Sequence, residues 1–385
     1  MSEFLVKGLE VKIKEFFLEK PLNFLILAIP LAVLAVILHW GPLAIFFFSA
    51  IGIVPMAGLI GDSTEGLAAY TGPRLGGLLN ATLGNAAELI ITIVAIRGGL
   101  LELVKASITG SILGNILFVL GMAMLLGGIK NGIQNFDRRQ AANNAILLIL
   151  SVIALLIPSM LSSFIGPVSS IKVEALSLGV AAIMIVLYGL GILYSFKEQT
   201  GLLPAPAILE LETQPSNTRN HRTQVMPHQG QRIPLRTALL LLAISTITVA
   251  FLSELFVATV EPVVIKLGVS EFFLGIILIP IIGNVAEHLV AVKVALRNHM
   301  DLSVEIAIAS SLQIALFVAP FLVFISLIMG NPLQLIFNEF ELIALIAGGI
   351  IAALVSLDGE SNWLEGAVLL AVYFILGLAF FLLPV

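Results

Sequence analysis

Apolar residues in this chain occur in long runs that short polar segments separate. A helix needs about 20 apolar residues to cross the hydrocarbon layer of a membrane. Eleven runs approach or exceed that length, at 22–39, 43–60, 76–97, 104–128, 142–158, 174–195, 236–258, 268–296, 303–329, 339–357 and 361–384. The pattern therefore predicts an all-α polytopic membrane protein with 11 transmembrane helices.

The composition also indicates a protein that lies in a membrane. Of the 385 residues, 59% are hydrophobic and 11% are charged, and the mean hydropathy is +1.10. These values exclude a water-soluble binding module and give no reason to expect a nucleic-acid partner, so the expected surroundings are a lipid bilayer. The chain has no Cys, so disulfides play no part. The charged segment before the first apolar run has no small-residue cleavage site after it, and we expect no cleaved signal peptide.

Polar segments divide the chain into five parts. We expect a cytoplasmic N-terminal segment at 1–20, a first transmembrane helix at 21–40, a five-helix unit at 41–196, a cytoplasmic linker at 197–233 and a second five-helix unit at 234–385. The linker is rich in Pro, Asn, Gln and Thr, a composition that buries too little apolar surface to fold by itself.

The distribution of Lys and Arg predicts the orientation. With the N-terminus and the linker on one side, all but four of the 19 basic residues fall on that side. The four exceptions are Arg97, Lys105, Lys172 and Lys266. Because basic residues accumulate in cytoplasmic loops, the N-terminus is predicted to be cytoplasmic. A prokaryotic plasma membrane is the expected location, or a vacuolar membrane if the chain is eukaryotic.

One motif occurs twice inside apolar runs. Gly84-Asn85-Ala86-Ala87-Glu88 is followed 199 residues later by Gly283-Asn284-Val285-Ala286-Glu287. The same offset aligns further identical positions in the next predicted helix, namely Ser111 with Ser310, Leu113 with Leu312, and Leu117-Phe118-Val119 with Leu316-Phe317-Val318. Two helices repeated in register indicate an internal duplication.

The two motifs lie in the third and eighth predicted spans. An odd separation means that the two copies cross the membrane in opposite directions. We therefore predict inverted five-helix repeats, with one extra helix before them and a binding site near the midplane where the repeats meet.

The residue types in the motif indicate a cation site. Asn and Glu at i and i+3 share one helix face, so each helix offers an amide oxygen beside a carboxylate. Oxygen ligands suit Ca²⁺, and we expect Gly84 and Gly283 to let backbone carbonyls turn toward the ion. Burial and mutual repulsion favour neutral, protonated carboxyls when no cation is present. Ca²⁺ and H⁺ would therefore compete for Glu88 and Glu287, which is the chemistry of an antiporter.

Other polar residues in the spans allow two interpretations. Buried Glu, Asn or Ser side chains also hydrogen-bond neighbouring helices as packing contacts. For the inverted Glu pair, function is the better interpretation. Each of the neighbours either lines the site or joins helices, and these are Ser111, Asn115, Ser310, Ser311 and Gln313. His288 either relays protons or faces a wet pocket, and Glu65 and Glu254 are either acids of an access path or interfacial charges.

The two motifs and their flanks resemble the cation-binding repeats of the Ca²⁺/H⁺ antiporters, the CAX branch of the Ca²⁺/cation antiporter superfamily. The similarity includes Leu75–Thr82 before the first motif and Ser310–Val318 after the second. It implies that Glu88 and Glu287 bind Ca²⁺ or protons, that Asn85, Asn284 and carbonyls near Gly84 and Gly283 complete the shell, and that Ser111, Ser310 and Gln313 line it.

The resemblance also implies that the helices bearing Glu65 and Glu254 slide, so that these acids shape the cytoplasmic access path. Many members carry a strongly acidic helix in the linker, which this sequence lacks, so regulatory Ca²⁺ binding there is not expected. The expected partners are Ca²⁺ and H⁺ as transported ions, with no cofactor. A Na⁺/Ca²⁺ or Mn²⁺/H⁺ exchanger, or a cation channel, is the alternative. No HExxH or Gly-x-Gly-Asp motif favours an enzyme.

Overall fold

The structure, a computed structural model, describes residues 21–167, 170–198 and 233–383, and these residues are almost entirely helical. The predicted N-terminal segment and most of the predicted linker lie outside the described residues. The first helices are a 3₁₀ helix (Pro21–Leu27), α1 (Ala28–Ile37), α2 (Pro42–Leu83), α3 (Ala86–Arg97), α4 (Leu101–Leu113), α5 (Leu120–Asn131), α6 (Arg138–Ile165) and α7 (Ile171–Glu198). The later ones are α8 (Leu235–Ala258), α9 (Val260–Leu267), α10 (Glu271–Phe273), α11 (Ile279–Leu296), α12 (Met300–Gln313), α13 (Ala319–Ile328), α14 (Glu339–Val355) and α15 (Trp363–Phe381).

Eight helical segments of the described chain are long and apolar enough to cross a membrane. Each of the eight coincides with a predicted span. The three remaining predictions fall on helices that are shorter or interrupted: Leu22–Ile37 is a short apolar helix, α14 has 17 residues, and the predicted span 76–97 is divided between the end of α2 and α3. The multi-span helical class is confirmed, whereas the number eleven stays a prediction.

Helix α2 contains the predicted span 43–60 and the beginning of the span 76–97. It can do so because it is not straight. Gly76 lies so close to Ala68 that a Cβ added to it would be 3.0 Å from the Cβ of Ala68. Eight residues of straight helix would separate these positions by about 12 Å. The chain therefore folds back sharply between them.

Two long helical segments form the centre of the protein. Each is an α-helix that continues through a π-helical turn: α4 and α5 join at Gly114–Val119, and α12 and α13 join at Ile314–Val318. Within their most apolar windows, 72% and 67% of the residues are buried, against 17% for α7 and 28% for α15. The first pair is therefore the core, and the second pair presents apolar side chains outward, as lipid-facing helices do.

Close helix contacts in the core depend on small residues. A third π-helical turn, Leu274–Leu278, joins α10 to α11 and packs against α4. A Cβ added to Gly275 in this turn would lie 2.7 Å from both the Cβ of Ala106 and the carbonyl oxygen of Leu103. Small residues that let backbones approach are a common means of helix association in membranes.

Hydrogen bonds between loops and helix ends define two faces of the bundle. At one face, Asn331 donates to the carbonyl oxygen of Ile96 (3.0 Å), and Arg97 pairs with Glu254; we call it the Arg97 face. At the other, Asn131 donates to the carbonyl oxygen of Ala295 (3.1 Å); we call it the Ala295 face. A short antiparallel ladder of β1 (Gln134–Asn135) and β2 (Glu360–Ser361) ties two loops together. Since Gln134 also donates to the Ala295 carbonyl, the ladder lies at the Ala295 face.

Candidate functional site: a carboxylate pair between two helices

Glu88 lies in the first turn of α3 and is 2% exposed. Two side chains donate hydrogen bonds to its Oε1 atom: the hydroxyl of Ser111 on α4, and the amide of Asn284 on α11 at 2.6 Å. The Asn284 bond crosses between the two copies of the motif. Glu88 is thus held by one residue of its own half and one of the other.

Glu287 on α11 has a similar partner. The hydroxyl of Ser310 on α12 donates to its Oε2 atom at 3.0 Å. The pairs Ser111–Glu88 and Ser310–Glu287 are both separated by 23 residues. The two acids are also near enough to interact electrostatically. The structure therefore brings both predicted acids and both predicted hydroxyls into one site.

The motif glycines make room for the opposite glutamates. A Cβ on Gly283 would lie 2.7 Å from Cγ of Glu88, and a Cβ on Gly84 would lie 3.3 Å from Oε1 of Glu287. We expected these glycines to loosen their helices. At Gly84 the helix does break, since α2 ends at Leu83 and α3 begins at Ala86. At Gly283 it does not, because α11 continues from Ile279 to Leu296; there the missing side chain matters as space.

Asn85 and Gln313 form a second bond between the halves. The Asn85 amide donates to Oε1 of Gln313 at 2.8 Å, and both side chains are buried. Gln313, with Tyr188 on α7, also lines a small cavity between α6, α7 and α12. Gln313 thus contacts the first motif directly.

Three buried oxygens around the pair have no hydrogen-bond partner among the described residues. They are Oε2 of Glu88, Oδ1 of Asn85 and Oδ1 of Asn284. Buried polar atoms are nearly always satisfied, and an unsatisfied one costs free energy. All three are hard acceptors, the donor type that Ca²⁺ takes. A cation between the motifs would satisfy them.

Neutral ligands must contribute to any cation site here. No three His, Cys, Asp or Glu residues of the described chain lie close enough together to hold a metal. Two carboxylates neutralise one divalent ion, and the amide and hydroxyl oxygens would fill further positions. Low ligand charge gives weak Ca²⁺ binding, which suits an ion that must be released.

His288 follows Glu287 on α11. Among the described residues, no hydrogen bond joins it to Glu88 or Glu287. Its Nε2 is 3.2 Å from Oδ1 of Asn115, and its ring packs edge-on near Phe118. The hydroxyl of Ser311 donates to backbone carbonyl oxygens of both α4 and α12, and it therefore joins these two helices.

The predicted access-path acids differ from one another. Glu254 lies near the C-terminal end of α8 and forms an exposed ion pair with Arg97 (2.8 Å). The linker precedes the other end of this helix. If the linker is cytoplasmic, Glu254 therefore lies at the opposite face, and the expectation that it shapes a cytoplasmic path does not fit. Glu65 is partly buried on α2, before the bend. Glu341 on α14 was not among the predicted site residues, yet it is 1% exposed.

Two buried acids on α3 and α11, in a bundle of apolar helices long enough to cross a membrane, are typical of a membrane cation exchanger rather than a soluble domain. Comparison with known proteins gives the family. The model of the sodium/calcium exchanger protein family matches residues 41–197 and 237–382, and the chain belongs to this family.

Similar proteins are named as antiporters. The chain is 45% identical to the Ca²⁺/H⁺ antiporter of Aphanothece halophytica, over 94% of this chain and 96% of that protein. It is 40% identical to the Ca²⁺/H⁺ antiporter ChaA of Bacillus subtilis, over 92% and 97%. The solved structure of native YfkE superposes with a TM-score of 0.78 at 37% identity, covering 94% of this chain and all of that one.

Proposed function

We propose that this protein exchanges Ca²⁺ for H⁺ across a membrane by alternating access. The observation that carries the proposal is the set of three buried oxygens, unsatisfied among the described residues, that lie beside Glu88 and Glu287. Either a Ca²⁺ ion or protons on the carboxyls relieve the cost of this arrangement. A site that must hold one or the other before it rearranges couples the two ions.

The structure supports inverted repeats as the framework of this exchange. Helices α4 and α5 run from the loop after α3 to Asn131, which bonds the end of α11. Helices α12 and α13 run from the loop after α11 to Asn331, whose side chain bonds the end of α3. The ends of α3 and α11 therefore lie at opposite faces, so the two motif helices cross the membrane in opposite directions. We propose one extra helix and two inverted five-helix units, at 41–196 and 234–385.

Charge supports the proposed orientation. The Ala295 face carries Lys130, Arg138, Arg139, Lys293 and Arg297. The Arg97 face carries Arg97 and Lys105 together with several acids, among them Glu102, Glu261 and Glu339. By the positive-inside rule the Ala295 face is cytoplasmic. A prokaryotic plasma membrane is the proposed location.

Transport into proteoliposomes tests the function. With an imposed pH gradient, ⁴⁵Ca²⁺ uptake should follow the gradient and should disappear in Glu88→Gln and Glu287→Gln protein. Glu261→Gln, an exposed acid outside the site, is the matched control and should transport normally. Normal uptake by either site variant would contradict the shared site. Uptake that follows a Na⁺ gradient instead would identify a Na⁺/Ca²⁺ exchanger, and uptake without any counter-ion gradient would identify a channel.

A further inference from the structure

A third buried carboxyl lies apart from the glutamate pair. Glu341 occupies the third position of α14, and its Oε2 accepts a hydrogen bond from the backbone N–H of Asn338 at 2.8 Å. Asn338 in turn accepts from the backbone N–H of Glu341 at 2.9 Å, which completes a capping box. The second carboxyl oxygen, Oε1, faces α4, where it contacts the hydroxyl of Thr109 at 3.2 Å.

Helix capping does not account for this burial. The protein has a second capping box at Asn362 and Glu365, at the start of α15, and there the glutamate is only partly buried. Both glutamates perform the same capping role. Only Glu341 has lost nearly all contact with water, at a cost in free energy if it is charged.

Glu341 has no ion-pair partner within 4 Å in the described part of the chain, although a basic residue is near. Lys105, one turn before Thr109 on α4, interacts with it through space but forms its close ion pair with Glu102, at 2.6 Å. The other segments packed on α14 are α6 and the π-helical turn Gly114–Val119. The turn has no charged residue, and those of α6, Arg138 and Arg139, lie at the Ala295 face.

The surroundings of Glu341 accommodate both protonation states. A charged carboxylate accepts from the Asn338 N–H and the Thr109 hydroxyl, and the N-terminal end of α14 favours a negative charge. A neutral carboxyl can donate its proton to the Thr109 oxygen instead, because a hydroxyl both donates and accepts. Glu339, two residues earlier, is exposed, so the start of α14 lies at the protein surface.

The charge on Glu341 can act on transport through α4. Thr109 and Ser111 lie two residues apart on this helix, and Ser111 donates to Glu88. Further along, Gly348 of α14 packs closely against Leu113 at the end of α4 and against Ile116 in the π-helical turn that follows. A change in the bond at Thr109 therefore reaches a helix that holds the central carboxylate.

We propose that Glu341 is a proton-binding residue, separate from the paired glutamates, that adjusts exchange to the pH at the Arg97 face. The proposal rests on the Ca²⁺/H⁺ exchange proposed above. In that role Glu341 is a positioning residue, because it acts on Glu88 through α4 and touches no transported ion.

The test is the pH dependence of uptake by Glu341→Gln protein. Glutamine preserves the capping box and the size of the side chain, and it removes the titrating proton. We expect the dependence of ⁴⁵Ca²⁺ uptake on pH at the Arg97 face to become flatter or to shift by at least half a pH unit. Rates are compared as ratios within one preparation, so the amount of inserted protein cancels.

Two control variants separate this role from others. Glu365→Gln makes the same substitution in the other capping box, and Glu339→Gln removes an exposed charge in the same turn of α14; both should keep the wild-type profile. Thr109→Val removes the hydroxyl from both protonation states and should shift the profile toward higher pH, because the charged form loses the stronger bond. A bond to a charged group is worth enough to predict about one pH unit.

The outcomes distinguish the two proposals. A Glu341→Gln profile that superposes on the wild-type profile overturns the role of Glu341 and leaves exchange intact. A profile that changes equally in Glu365→Gln protein assigns the effect to capping and overturns the proposal as well. Wild-type protein without ΔpH-driven uptake contradicts the proposed function instead.

Discussion

The space that Gly283 leaves for Glu88 gives a prediction of defined size. In Gly283→Ala protein the new Cβ would lie 2.7 Å from Cγ of Glu88, with Cδ at 3.7 Å. Carbon atoms at optimal separation are about 3.5–4.0 Å apart, so the side chain must move by roughly 1 Å. The obstructing atom belongs to a side chain rather than to backbone, and Glu88 can therefore yield. Its carboxylate then leaves the position set by Ser111 and Asn284.

Overpacking of this kind costs about 1–3 kcal/mol. If the cost falls on the ion-bound state, the half-saturating Ca²⁺ concentration rises about 5- to 150-fold. The assay is initial ⁴⁵Ca²⁺ uptake against Ca²⁺ concentration, at a fixed pH gradient and with equal inserted protein. Gly179→Ala on α7 is the control, because nothing lies within 4 Å of its new Cβ. Wild-type half-saturation in Gly283→Ala protein would refute the placement of Glu88 at the ion site.

Two further changes separate the site from its surroundings. Asn284→Ala removes the 2.6 Å bond to Glu88 and one unsatisfied oxygen; loss of a bond to a charged group should weaken apparent Ca²⁺ affinity about 10- to 150-fold. Asn143→Ala, exposed on α6, is its control, and equal affinities in the two variants would contradict a ligand role. Glu254→Gln breaks only an exposed ion pair, so the free energy of unfolding should change by less than about 1 kcal/mol. Uptake should persist in this variant, and its loss in well-folded protein would return Glu254 to the access path.

Much of the helical architecture follows from apolar run length, because backbone groups in lipid must be satisfied within a helix. The bend in α2 and the break before α3 were harder to predict from the sequence. Backbone hydrogen bonding continues past residue 60, so the polar segment between the predicted spans 43–60 and 76–97 is helical. Polarity marks contact with water, and here it does not mark the end of a helix.

The site could be predicted from the sequence only as far as the repeated motif pointed to it. Repetition singled out Glu88, Glu287 and the two serines, because each pair occurs at one offset. The role of Gly283 as space for Glu88 depends on a contact between residues 195 positions apart, which no local pattern encodes. Glu341 occurs once, in an N-terminal capping pattern that is usually solvent-exposed, and only packing against α4 makes it a buried acid.

The departure from symmetry is the feature that repetition cannot explain. At the offset of 199 residues, Gln313 corresponds to Gly114, and His288 and Asn115 correspond to Leu89 and Ile314. The effect is visible in the two asparagines. Gln313 engages Asn85, whereas Gly114 offers Asn284 no side chain, and Asn284 donates to Glu88 instead. Within the described part of the chain, Glu88 therefore has two side-chain donors, whereas Glu287 has one, Ser310. The repeated motifs supply matching acids and hydroxyls, and the positions that differ make the two halves of the site chemically different.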